Sequence, residues 1–468
     1  MVFFSLNRIF APSYQKSFMK STEKVFFLTL GVVVILLLMY HIPTFCINDI
    51  ETRPVDLLSD LRPNKEKEKD VVAQIPVPKK KPIVQKYHPK GVVLIEDFAG
   101  NSKGGMNHFY SKLLKTQKTH ESVHIAYFGD SFVEGDILTC DLREMLQAKY
   151  GGKGPGWVDC GGGTGSNRGT LLTRYQRIKE NVVTKKPFDV SLQGISQRYY
   201  HATNGATLKL IGTKFRPHVG SWDKATFFFK THKGFSMDST PSGGGSENCH
   251  FGGSDSVQVS EIIGPMTDIA YSFSDINTQT QLFGVALDGS SGVALDNFSM
   301  RGVPGFSIAN IPVKTLLEIG KYRPYDLIIL HFGLNVVTDK TTDAMCRNYI
   351  NRMKKAIATL RAAFPDASIV VFSVPDRVQR SADGFHSLKG VLKLVAFQRV
   401  LASECGVAYL NVHQIMGGKD CMKQYVDEGL AAKDYTHLNY KGGKKIANGI
   451  FQSILAGVEN YRREYHSH

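Results

Sequence analysis

The chain has 468 residues, a formal net charge of +15, 42% hydrophobic and 21% charged residues. That length holds two or three folded units, and that balance excludes a wholly disordered chain. Its seven cysteines (Cys46, Cys140, Cys160, Cys249, Cys346, Cys405 and Cys421) form no Cys-x-x-Cys pair and no metal spacing. Their odd number leaves at least one outside any intramolecular disulfide, and most are expected as small buried hydrophobes.

Val25 to Tyr40 carries no charge and, extended through residue 47, reaches the ~20 residues a bilayer helix needs. Arg8, Lys16, Lys20 and Lys24 precede it, and Asp49 and Glu51 follow it. This places residues 1–24 in the cytoplasm, an anchor over 25–47 and the rest on the far side. A cleaved signal peptide is the alternative, but no Ala-x-Ala-like site follows the apolar run. The residues before Cys46, Pro-Thr-Phe, lack the small residue of a lipidation site. Residues 48–90 carry Pro63, Pro76, Pro78, Pro82 and Pro89 among lysines and glutamates, which predicts a linker. Lysines such as Lys65, Lys79, Lys80 and Lys81 suit a solvated tether beside a membrane better than a nucleic-acid surface. No nucleic-acid partner is expected on the far side.

Order resumes near Val92–Ile95, and residues 109–114 suit a short helix. Val123 to Phe128 is an apolar run that predicts a strand, and Gly129-Asp130-Ser131 delivers a serine onto a turn at its carboxyl end. Asp136 to Tyr150, apolar at 138, 142, 145 and 146 and stopped by Gly151 and Gly152, predicts a helix. Open α/β sheets place ligands at such strand ends. The glycines of 151–156 do not satisfy the Gly-x-x-x-x-Gly-Lys-Ser/Thr phosphate loop.

From about 170 to 298 the text is a series of short β runs, among them 225–230, 257–262, 268–273 and 281–287, separated by Gly/Ser/Asp/Asn turns. The expectation is an inserted β-sandwich, jelly-roll-like, over 170–298. It divides an α/β domain into 91–169 and 299–468. In the second part, strands over 325–332, 368–373 and 407–410 alternate with helices over 342–364, 391–405 and 441–458, predicting a parallel sheet covered on both faces.

Three pieces carry chemistry. Ser131 ends one apolar run, Gly333-Leu334-Asn335 ends another (327–332), and Asp434-Tyr435-Thr436-His437 lies near the carboxyl terminus. A serine, a histidine with its aspartate and a donating asparagine are the parts for acyl transfer. Singly, each has a duller reading: a strand-ending turn, a locally capped loop, a residue capping the next helix. Asp130 reads as a tie for local amides, Glu134 and Asp136 as caps, and His331 as a buried strand residue. Trp157, Tyr199, Tyr200 and Trp222 suit a core better than a sugar-stacking face. No cofactor motif is present.

With these residues together, the chain resembles the SGNH (GDSL) hydrolase family. Its first block is similar to Gly129-Asp130-Ser131, its second to Val303-Pro304-Gly305, its third to Gly333-x-Asn335 and its fifth to Asp434-x-x-His437. The resemblance covers about 120–160 and 299–455. It implies a flavodoxin-like three-layer α/β/α domain. Ser131 would be the nucleophile, His437 the base oriented by Asp434, and the Ser131 and Gly305 amides with the Asn335 side chain the oxyanion hole. The β insertion between serine and glycine blocks resembles the O-acetylpeptidoglycan esterases of bacterial envelopes, whose insert looks like a carbohydrate-binding module. The implied protein is an esterase anchored in a bacterial inner membrane, facing the periplasm and acting on an acetylated polysaccharide. A polysaccharide O-acetyltransferase on the same fold and an inactive envelope-binding protein are the alternatives. The intact Ser131, Asn335 and His437 set argues against the latter.

Overall fold

Five strands set the architecture: Gly292–Ser299, Ser122–Gly129, Leu327–His331, Ser368–Phe372 and Ala408–Leu410 lie parallel in that spatial order, and the short Glu96–Asp97 closes the edge antiparallel. The computed structural model describes residues 21–39, 46–47, 50–51, 76–100, 104–162 and 168–465. Central strands such as Leu327–His331 are buried along their whole length, because helices cover both faces. Helices Asn107–Thr119, Thr139–Tyr150 and Tyr440–Tyr465 pack against one another as one group; Val313–Tyr322, Asp343–Ala363 and Lys389–Cys405 form the other. The longest of the second group starts where the Thr342 hydroxyl accepts the Met345 amide, and it buries Cys346, Tyr349, Ile350, Met353, Ile357 and Leu360 along one stripe.

The expected sandwich is a single nine-stranded antiparallel sheet that curls over its own core. Strand Arg198–Gly212 is the hinge of the curl. It pairs with Leu171–Val182 on one side, and on the other it passes from Thr280–Asp288 at Tyr200 to Asp268–Ser274. Phe227, Phe229, Phe235, Tyr271 and Phe273 fill the interior, with ring centroids 4.8–5.7 Å apart for the closest pairs. Trp157, Tyr199, Tyr200 and Trp222 are buried, which removes them from any sugar-stacking face.

Two boundaries move. Gly292–Ser299, expected in the insert, is a strand of the parallel sheet, whereas Gly156–Val158, expected in the hydrolase half, pairs with Thr280–Asp288 in the curled sheet. The glycines before it permit this crossing. A Cβ at Gly152 would meet the backbone of Val293 at 2.4 Å, and one at Gly154 the carbonyl of Leu287 at 2.2 Å. The junction is sealed by buried charge. Arg323 pairs with Asp288 (2.5 Å) and Asp296 (2.6 Å), and Asp296 also accepts from the Tyr325 hydroxyl and the Trp157 amide. Arg323→Ala leaves two buried carboxylates facing each other. It should lower the unfolding free energy by about 3–5 kcal/mol, measured in urea.

Residues 1–74 form a separate unit, with helix Ser21–Met39 and a short pairing of Cys46–Ile47 with Ile50–Glu51. The helix holds exposed Val25, Phe26, Phe27 and Leu28. Its apolar part after Lys24 rises only ~22 Å, short of a ~30 Å hydrocarbon core. Among the described residues no helix is long and apolar enough to cross a membrane. Of the span expected over 25–47, the part up to Met39 is helical and Cys46–Ile47 is extended; residues 40–45 lie outside the described residues.

The linker expected over 48–90 is also corrected at its end. The Asn460 side chain accepts the amides of Lys86 (2.9 Å) and Tyr87 (2.8 Å) and donates to the Tyr87 carbonyl (2.9 Å), while the Ile83 amide donates to Asp97. These are backbone contacts, which polar and proline-rich composition does not preclude. Cys140, Cys160, Cys249, Cys346, Cys405 and Cys421 are free, and Cys140, Cys160, Cys346 and Cys421 are buried. A chain starting at residue 76 should melt within about 1 °C of the full protein. One starting at 91 should melt several degrees lower, because the Asn460 side chain loses its partners.

Candidate active site

Strand register brings the site together. Gly129 lies between Ser299 on one neighbour and His331 on the other, so three parallel strands end at one level. The serine turn, the glycine block and the asparagine block leave from that level. The Met300 amide donates to the Gly129 carbonyl (2.9 Å), and the Asn335 side chain donates to the Val303 carbonyl (3.2 Å), tying the blocks to each other.

Ser131 Oγ stands 2.9 Å from Nε2 of His437, and Nδ1 of His437 stands 2.6 Å from Asp434 Oδ2. The same carboxylate accepts the Thr436 and His437 amides at 3.0 Å each. Burial works to raise the Asp434 pKa, but the hydrogen bond from the His437 ring and the two amides outweigh it and hold it below the usual carboxylate value. The turn between them needs Tyr435 at φ 55°, a left-handed conformation for a bulky residue. Phe385 stacks on Tyr435 (4.4 Å), and the Val378 amide donates to its carbonyl (3.3 Å). Both come from a hairpin, Val378–Ser381 with Gly384–Ser387, that the sequence pattern did not reveal.

Gly305 has φ 93°, and a Cβ there would press on the Phe332 ring (2.9 Å) and Met353 Sδ (3.0 Å). A Cβ at Gly302 meets nothing within 4 Å, so Gly305 is the crowded member of the block. Among the described residues the Ser131 and Gly305 amides donate to no protein group. Asn335 does not cap the next helix; Thr342 does.

The remaining acids are structural. Asp136 sits in the left-handed region at φ 63° and accepts from Thr139, Thr170, Arg143, Arg168 and Asn297 rather than capping the helix. Burial opposes its charge, but Arg143 and Arg168 hold it far below the usual range. Glu134 pairs with Arg301. His331 is buried against Tyr127 (2.8 Å), and burial pushes its pKa down to about 3, so it stays neutral. Asp130 accepts the Phe132 amide (3.0 Å). Among the described residues no group of acids, histidines or cysteines is placed to hold a metal.

Residues 271–445 match the GDSL-like Lipase/Acylhydrolase family. That stretch holds Gly305, Asn335, Asp434 and His437; Ser131 lies before it, separated by the curled sheet. The chain carries an SGNH (GDSL) hydrolase domain. A solved peptidoglycan O-acetylesterase structure superposes with a TM-score of 0.63 at 18% identity, over 78% of this chain and 99% of that one. A family two carbohydrate esterase from Cellvibrio japonicus aligns over 62% of this chain and 99% of that one, at 11% identity and a TM-score of 0.24. No curated protein matches the sequence. The match over residues 271–445 makes this an acylhydrolase domain, and the likeness to the solved structures is one of fold.

Two outcomes follow from this geometry. Gly305→Ala should lower kcat/KM on a small acetyl ester about 100-fold or more, since its Cβ displaces the block that carries the amide. Burial pushes Asp130 up to about 6, against 3.8 ordinarily, despite the Phe132 amide. The unfolded chain loses that proton first as pH rises from about 4 to about 6, so this residue's contribution to stability falls across that window. Asp130→Asn should therefore gain on the natural chain by up to about 3 kcal/mol between pH 4 and pH 7, read by urea unfolding at each pH.

Proposed function

We propose that the enzyme removes O-acetyl groups from a cell-envelope polysaccharide of the peptidoglycan kind, using Ser131, His437 and Asp434. The observation that carries this reading is the unbroken chain of contacts from Ser131 Oγ through the His437 ring to the Asp434 carboxylate. A free serine hydroxyl is a weak nucleophile and needs a base in hydrogen-bond reach. His437 Nε2 takes the proton as Oγ bonds to the acetyl carbon. The carbonyl oxygen becomes an oxyanion facing the amides of Ser131 and Gly305 and the Asn335 side chain. Collapse breaks the bond to the sugar oxygen, which takes the proton from His437. Water then attacks the acetyl-serine by the same route, releasing acetate and restoring Ser131. Asp434 holds the ring's tautomer and steadies the imidazolium throughout.

Support for a glycan ester comes from the curled sheet rooted beside the glycine block and from the likeness in fold to the peptidoglycan O-acetylesterase. The reading includes an extracytoplasmic site in a bacterial envelope, with the exposed apolar helix Ser21–Met39 as the membrane attachment. Acetate release from O-acetylated peptidoglycan is the deciding assay. Ser131→Ala and His437→Ala should each lower kcat by about 10⁴-fold or more, and the double variant should be barely worse than either. Additive losses, or unchanged turnover in Ser131→Ala, count against the relay.

A further inference from the structure

A groove of about 690 Å³ lies beside the oxyanion block, and no step above uses it. It is lined by the block on either side of Gly305, by Val183 and Thr184 where strand Leu171–Val182 ends, and by Arg352 and Lys355. It therefore runs along the seam between the hydrolase fold and the curled sheet. Its lining contains two cations and no carboxylate. Lys354, on the same helix, pairs with Glu404 at 2.5 Å; among the described residues no acid pairs with Arg352 or Lys355.

Arg352 is held in place. Its guanidinium sits 3.6 Å from the centroid of the Phe306 ring, which packs on Tyr349 (5.4 Å). A guanidinium stacked by its face keeps its edge N–H groups for a planar anion. Ser307 lines the same groove, and its Oγ is buried without a partner. The turn after Thr184 adds exposed Lys185 and Lys186. The nearby acids are engaged: Asp189 by Ser191 and Glu180 by Arg198. On the Asp434 side of the site a second groove, about 530 Å³, mixes Arg377 and Arg380 with Asp339 and Asp434, so the single-sign character belongs to the first.

We propose that this groove is a subsite for a carboxylate carried by the glycan strand, so that the enzyme selects acidic over neutral acetylated glycans. This rests on the acetylesterase reading above and names the charge of its substrate. The test compares O-acetylated peptidoglycan fragments with free stem carboxylates against the same fragments after amidation. In about 0.05 M salt, kcat/KM should favour the acidic form about tenfold, and the preference should shrink in about 0.5 M salt as screening shortens. Arg352→Gln with Lys355→Gln should cut the acidic-to-amidated ratio about three- to tenfold, with the melting temperature as a check on folding. Equal kcat/KM on the two forms, or a preference unchanged in the double variant, overturns the proposal. If neither fragment releases acetate while a small ester is cleaved, the glycan reading fails instead. Calorimetric binding of both fragments to the Ser131→Ala protein, with and without the two groove substitutions, then decides the subsite on the same criteria.

Discussion

Everything at the site depends on one register. Gly129 is paired with Ser299 on one side and His331 on the other, and a parallel ladder fixes both neighbours at the same height. A slip of one residue in either strand would turn its buried side chains to the opposite face and move its block off the edge. The burial of Leu327–His331 on both faces therefore does more than stabilise a core. It sets where Asn335 starts from, just as the ladder to Gly292–Ser299 sets where Gly305 starts from.

The curled sheet is fastened to this edge by charge rather than by a broad apolar face alone. Arg168, at its entrance, reaches Asp136 in the turn after Ser131, and Arg323 holds Asp288 at its exit to Asp296 in the parallel sheet. Buried ion pairs of this sort roughly break even against apolar packing, but they are directional. A displaced insert would take Arg168 from Asp136 and Asp288 from Arg323, so the junction has one acceptable geometry. The nucleophile turn and the insert are thereby referenced to the same carboxylate.

Elements carried by a periodic pattern were legible in the sequence. The stripe from Cys346 to Leu360 and the largely apolar run before Gly333 announce a helix and a buried strand, and Ser131, Asn335 and His437 stand at element ends as expected. What the pattern does not encode is pairing partner. Gly292–Ser299 reads as one more β run after 281–287, yet it leaves the antiparallel sheet for the parallel one, a choice made by the close glycine crossing at Gly152 and Gly154. The hairpin at 378–387 carries few apolar residues because it works by stacking Phe385 on Tyr435. Residues 76–90 bind through main-chain amides, which no side-chain periodicity reports.

The clasp of Asn460 on Lys86 and Tyr87 has a mechanical meaning. Tension arriving along the chain from its amino-terminal side meets the Ile83 amide on Asp97 and then this side chain before it reaches the central strands. Asn460 sits near the end of the long helix Tyr440–Tyr465, whose buried side chains spread the load through the core. The serine turn, on the far side of Glu96–Asp97 along the chain, is spared. A hydrolase tugged while engaged with a polymer network would hold its catalytic distances until that clasp gave way.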